Sequence, residues 1–119
     1  MKRFATSHEW IEISDGIATA GISQFAADEM KELTYVELPE VGRKYAAGEV
    51  FGSVESTKAA SEIHSPIAGT VAEVNTALET NPETVNDDAE GAGWICRFKE
   101  FDENDLNANM TKEDYLAKQ

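Results

Sequence analysis

Apolar and polar positions alternate first at Trp10-Ile11-Glu12-Ile13, the period of a strand with one buried face. Asp15-Gly16 then supplies a hairpin turn, and Ile17-Ala18-Thr19-Ala20 returns as the second strand. After Ser23, a natural N-cap, the period lengthens, predicting a helix over Gln24 to Lys31. Ala26, Met30 and Leu33 fall at the spacing of its buried face. Thr34-Tyr35-Val36-Glu37-Leu38 is rich in strand formers and ends at Pro39, and Glu40 to Gly48 reads as a connection. Val50 to Val54 and Ile63 onward are strand-like arms around a small, polar turn that carries Lys58. Pro66 and Gly69 mark a further turn before Thr70 to Val74.

The second half is more polar. Residues Thr76 to Gly93 predict a loop with one short helical turn, and Trp94-Ile95-Cys96-Arg97-Phe98 a closing strand with Trp94, Cys96 and Phe98 on one face. Two tail helices are expected, over Glu103 to Ala108 behind Asp102 and over Lys112 to Ala117 behind Thr111, whose pairing with Asp114 approximates a capping box. Many short strands with turn signals predict a small sandwich or barrel with peripheral helices. Gly48-Glu49-Val50 and Gly69-Thr70-Val71 hint at a two-fold repeat about the Lys58 turn. No linker is visible, so residues 1–119 read as one domain.

Charge narrows the partners. A net charge of −13 argues against nucleic acid and against anionic membrane surfaces, and favours steering toward basic faces of proteins. No apolar run is long enough to span a bilayer, and Met1-Lys2-Arg3-Phe4-Ala5-Thr6-Ser7 lacks the apolar core of a secretory signal. The single Cys96 rules out an internal disulfide and fits a reducing compartment, so a cytoplasmic location is expected and the Asn109-Met110-Thr111 glycosylation pattern carries no meaning.

Several chemical motifs fail on inspection. His8-Glu9-Trp10-Ile11-Glu12 begins like a zinc-protease motif but has Glu12 where the second histidine belongs. His64 has no Cys or His near it and reads as a surface or turn histidine, and Ser7-His8 lacks a third partner. Cys96 alternates with aromatics, as a packing residue does. Asn86-Asp87-Asp88 and Asp102-Glu103-Asn104-Asp105 lack calcium-loop spacing, and no glycine loop could cradle a phosphate. No catalytic or metal-ligating residues are therefore assigned. Lys58 remains: an amine on an exposed turn, within reach of a modifying enzyme.

The chain also carries a series of blocks in order. They are His8-Glu9-Trp10, Gly21-Ile22-Ser23, Val36 to Gly42, Gly52 to Ser61 around Lys58, Ser65-Pro66-Ile67-Ala68-Gly69, Glu73-Val74-Asn75, Asn81-Pro82-Glu83 and Gly93-Trp94. This ordered set resembles the H-protein of the glycine cleavage system, a lipoyl carrier, over nearly the whole chain. The resemblance implies the two-sheet lipoyl-domain fold, a barrel-sandwich hybrid, with added short helices including at the C-terminus. It implies a non-enzymatic carrier with lipoate covalently attached to Lys58. It implies three partners in the cycle: glycine decarboxylase (the P-protein), the tetrahydrofolate-dependent aminomethyltransferase (the T-protein) and dihydrolipoamide dehydrogenase (the L-protein). A lipoate ligase or lipoyltransferase would attach the arm, with Glu55 and Glu62 as charges it could read. A loaded arm would fold back onto Ser7, Glu9, Glu29 and Glu62, where a carboxylate can hold its amine by a charge-assisted hydrogen bond.

Two departures stand out. The family usually ends the helix with Leu-Gly-Asp, whereas this chain has Met30-Lys31-Glu32, and lysine disfavours the positive φ that glycine permits. A histidine that some members carry at position 29 is a glutamate here. These departures leave room for a similar carrier that relays lipoate or serves another pathway. A biotin carrier is disfavoured because Thr57 and Ala59, not methionines, flank the lysine. An acidic scaffold that is never modified is the rival from a different class.

Overall fold

The computed structural model describes residues 2–119. Ten strands and four short α-helices follow one another as β1 (Lys2–Phe4), β2 (Glu9–Ser14), β3 (Ile17–Ile22), α1 (Gln24–Met30), β4 (Leu33–Glu37), β5 (Lys44–Tyr45), β6 (Val50–Ser56), β7 (Ala60–His64), β8 (Gly69–Val74), α2 (Ala77–Thr80), α3 (Glu83–Asp88), β9 (Cys96–Lys99), β10 (Met110–Thr111) and α4 (Lys112–Ala117), with a 3-10 helix over Glu103–Ala108. The strands form two antiparallel sheets: a seven-stranded sheet ordered β10-β1-β2-β3-β9-β8-β5 and a three-stranded sheet ordered β4-β6-β7. The fold is mainly β, as the short alternating stretches predict.

Local chemistry explains most element ends. Asp15 and Gly16 both take positive φ (53° and 76°), the backbone of a two-residue hairpin turn, and so Ser14 pairs with Ile17. The Ser23 hydroxyl accepts from the Ala26 N–H and caps α1, and Thr111 caps α4 by accepting from Asp114. Between β7 and β8 the chain passes from the small sheet to the large one through Ser65-Pro66-Ile67-Ala68, where the Ser65 hydroxyl donates to the Ile67 carbonyl at 2.6 Å.

The core lies between the sheets and draws on both: Ile11, Ala20 and Phe98 from the large sheet, Val36, Val54 and Ile63 from the small one, with Leu78 and Val85 of the short helices. A second cluster of Phe4, Trp10 and Tyr115 ties the C-terminal helix down, with the Phe4 and Tyr115 rings stacked at 4.9 Å. Most exposed side chains are charged or polar, although Ile17, Tyr35, Val41, Val50 and Leu116 also face solvent.

Four expectations change. The fully buried residue of α1 is Ala27; Ala26 and Met30 are half-buried at a cleft, and Leu33 belongs to β4. The polar stretch 76–93 holds two short helices, because Leu78, Val85 and Ala89 reach the core at helical spacing through otherwise polar sequence. The connection 40–48 contributes β5, which pairs with β8 through Lys44 and Thr70. Trp94 precedes β9 rather than joining it, and its ring lies 4.0 Å from the Arg97 guanidinium.

Candidate functional site

The β6–β7 hairpin presents Lys58. Its turn closes through the Ser56 N–H, which donates to the Ala59 carbonyl at 2.8 Å. The Ser56 hydroxyl oxygen accepts from the backbone N–H groups of Lys58 (3.3 Å) and Ala59 (3.2 Å), a serine turn that fixes the lysine's backbone. Thr57, Lys58, Ala59 and Ala60 are all exposed, and the Lys58 amine has no ion pair or hydrogen bond with any described residue. The small, polar character of the turn does not by itself disclose this anchor; a serine two positions before the lysine is the signal for it.

Below that turn lies a cleft of about 260 Å³. One wall is the same hairpin, through Val54, Ser61 and Ile63; the facing wall is α1, through Phe25, Ala26 and Met30; the loop Ser7-His8-Glu9 closes one end. Val54 and Ser61 are cross-strand partners. Ser61 stands three residues from Lys58, a contour of roughly 10 Å at strand rise. All four residues expected to hold an arm, Ser7, Glu9, Glu29 and Glu62, line this cleft. Lys31 does not line it, although Glu29 and Met30 do.

The carboxylates differ in setting. Glu29 and Glu62 are exposed, whereas Glu9 is 1% exposed. Glu9 Oε1 accepts from the Ser7 hydroxyl, and Oε2 accepts from the His64 N–H at 2.8 Å. Burial pushes the Glu9 carboxyl above its ordinary range, and these two bonds and the nearby His64 ring offset that only in part. His64 is therefore not a plain turn histidine. It sits 55 residues from Glu9 in sequence, and no local pattern could have paired the two.

Two supports behind the cleft were also missed. The Tyr115 hydroxyl lies 2.5 Å from His8 Nδ1 and 2.7 Å from Ser23 Oγ, so the tail helix braces the loop that carries Glu9. Burial raises the Tyr115 phenol above its ordinary value. Asn86 of α3 clamps the end of α1: its side-chain amide donates to the carbonyls of Lys31 (2.5 Å) and Ala27 (3.3 Å), and its oxygen accepts from the Leu33 N–H at 2.9 Å.

A rigid two-sheet frame that holds out one unpaired lysine above an apolar, carboxylate-edged cleft is the architecture of a carrier domain. The glycine cleavage H-protein family model matches residues 2–119. The glycine cleavage system H protein of Alcanivorax borkumensis is 50% identical over 97% of this chain and 90% of its own length. That of Thermotoga maritima is 42% identical over 97% of this chain and 93% of its own. A crystal structure of a glycine cleavage system H protein from Mycobacterium marinum superposes with a TM-score of 0.86 at 34% identity, covering 98% of this chain and 94% of that one. This chain belongs to the glycine cleavage H-protein family.

Proposed function

We propose that the chain is the lipoyl carrier of the glycine cleavage system, with lipoate joined in amide linkage to Lys58 Nζ, and that it acts as a carrier rather than a catalyst. The observation that carries this reading is the Lys58 turn: an exposed, unpaired amine rooted on the hairpin that also forms a wall of the cleft. When bound, lipoate supplies a disulfide that is reduced as it takes up an aminomethyl group. The protein's residues do the rest. Ser56 fixes the root, Val54, Ile63, Phe25 and Met30 offer an apolar bed for methylenes, and Ser7, Glu9, Glu29 and Glu62 offer polar contacts for the carried amine.

These residues fit the group chemically. Amide formation removes the lysine's charge at an exposed position, where no partner loses its ion pair. The partners implied are glycine decarboxylase as donor, the aminomethyltransferase as acceptor, dihydrolipoamide dehydrogenase for reoxidation, and a lipoate ligase or lipoyltransferase. The reading places this work in the cytoplasm. Among the described residues no helix is long and apolar enough to cross a membrane. Residues 1–119 would act as one carrier unit.

The test is intact mass with peptide mapping of the protein from lipoate-fed cells that hold a competent ligase. A lipoyl adduct on Lys58, absent from a folded Lys58→Arg variant, is the expected result. An unmodified Lys58 alongside a lipoylated control protein would overturn the assignment.

A further inference from the structure

His64 ends β7, opposite Val50 of β6, and meets Glu9 from β2. Two of its nitrogens face one oxygen. Its backbone N–H donates to Glu9 Oε2 at 2.8 Å, and its ring Nδ1 lies 3.6 Å from the same atom. Nδ1 is shielded from solvent and has no hydrogen-bond partner, although the side chain as a whole is 37% exposed. A buried ring nitrogen without a partner forfeits its hydration and gains nothing in return. Pairing with the carboxylate beside it would remove that cost, and that pairing needs a proton between the two groups.

We infer that His64 is a positioning residue for the carried amine: protonated, it holds the Glu9 carboxylate with a full charge and an Nδ1–H, and neutral, it offers Glu9 at most an uncharged N–H that the amine in the cleft can outcompete. This rests on the carrier reading above. Two cations then compete for one carboxylate whose other oxygen is already engaged by Ser7. Imidazole is the side chain that changes charge between about pH 8 and pH 5.

Glu62 on the same strand and Glu29 on α1 are acidic and line the cleft together with Glu9. Tyr115 on α4 senses the Glu9 charge and binds His8 at the end of the loop. On the β6 side, Glu49 turns away, accepting from the Ala46 N–H at 2.9 Å and pairing with Arg43 at 3.4 Å.

The pH signature is distinctive, because the carried group itself responds the opposite way. Water releases ammonia from an aminomethyl thiol derivative when the nitrogen's lone pair is free, so acid alone slows the loss. Displacement from Glu9 by a charged His64 would expose the group to water and speed it.

The test loads lipoylated wild type and His64→Asn through the glycine decarboxylase reaction and follows ammonia release from about pH 8 to about pH 5.5. The ratio of wild-type to variant rate should be near one at the alkaline end and rise roughly fivefold at the acid end. A ratio independent of pH overturns the inference. Lipoylation without loading in either protein overturns the carrier reading, and this inference with it. Histidine nitrogen NMR gives a readout without the variant. In wild type, His64 should take its proton roughly fivefold less readily when the arm is loaded than when it is lipoylated and empty. Equal titration midpoints in the two states overturn the role.

Discussion

Lys31 is where this chain's own sequence and the fold are most at odds. Its φ of 65° and ψ of −153° lie in a region essentially reserved for glycine, yet it carries a Cβ and a long side chain. Its surroundings hold it there. The Lys31 N–H donates to the Asp28 carbonyl at 3.3 Å, and the Asn86 clamp grips its carbonyl and the next turn. Such a backbone costs ~1–3 kcal/mol in a residue with a side chain. Glycine would relieve it, less about 0.5–1 kcal/mol for its greater freedom in the unfolded chain. The exposed Lys31 side chain has no ion pair or hydrogen bond to forfeit among the described residues. Lys31→Gly should therefore stabilise the protein by about 1 kcal/mol, within a span of about 0–2.5 kcal/mol, raising the melting temperature by roughly 4 °C for a chain of this size. Lys31→Ala removes the same charge but keeps the Cβ, and isolates the backbone term. Thermal and urea unfolding of the three proteins decide the matter. If Lys31→Gly is no more stable than Lys31→Ala, the claim of stored backbone strain is wrong.

Two further outcomes follow from the supports of the cleft. Burial raises the Glu9 pKa, so the native state holds that proton more tightly than the unfolded chain does. The resulting stabilisation is present below the ordinary glutamic acid range and is lost as pH rises through the native-state value. Glu9→Gln, which does not titrate, should thus gain melting temperature over wild type as the pH rises from acid to neutral, and a gap that stays constant or shrinks refutes the sign. Tyr115→Phe keeps the stacked ring but removes the hydroxyl shared by His8 and Ser23, and should cost about 1–2 kcal/mol in urea unfolding; no loss would mean that the hydroxyl does not brace the loop.

What the sequence disclosed is what short spans of chain decide. The Asp15-Gly16 turn and the Ser23 and Thr111 caps each act within three residues, so their residue types suffice. The pairing of Lys44 with Thr70, the Asn86 clamp on α1 and the contact of His64 with Glu9 join segments 26 to 59 residues apart and depend on packing. Ser7, Glu9, Glu29 and Glu62 were reached through family resemblance, since nothing in the neighbouring sequence marks a serine or glutamate as part of a cleft.

The register of one hairpin ties these pieces together. Val54 and Ser61 pair just below the Lys58 turn and both line the cleft, so the lysine proposed to root the arm and one wall of the cleft belong to the same two strands. Because side chains alternate faces, a slip of one residue would turn Val54 and Ile63 outward and expose the core they fill. Burial of those two residues therefore fixes how far Lys58 stands from the cleft. His64 ends the same strand, and its N–H carries that constraint to the Glu9 carboxylate. The distance from lysine to carboxylate is thus set by core packing rather than by the mobile groups themselves, and a carrier needs that arrangement if its arm is to leave the cleft and return to the same place.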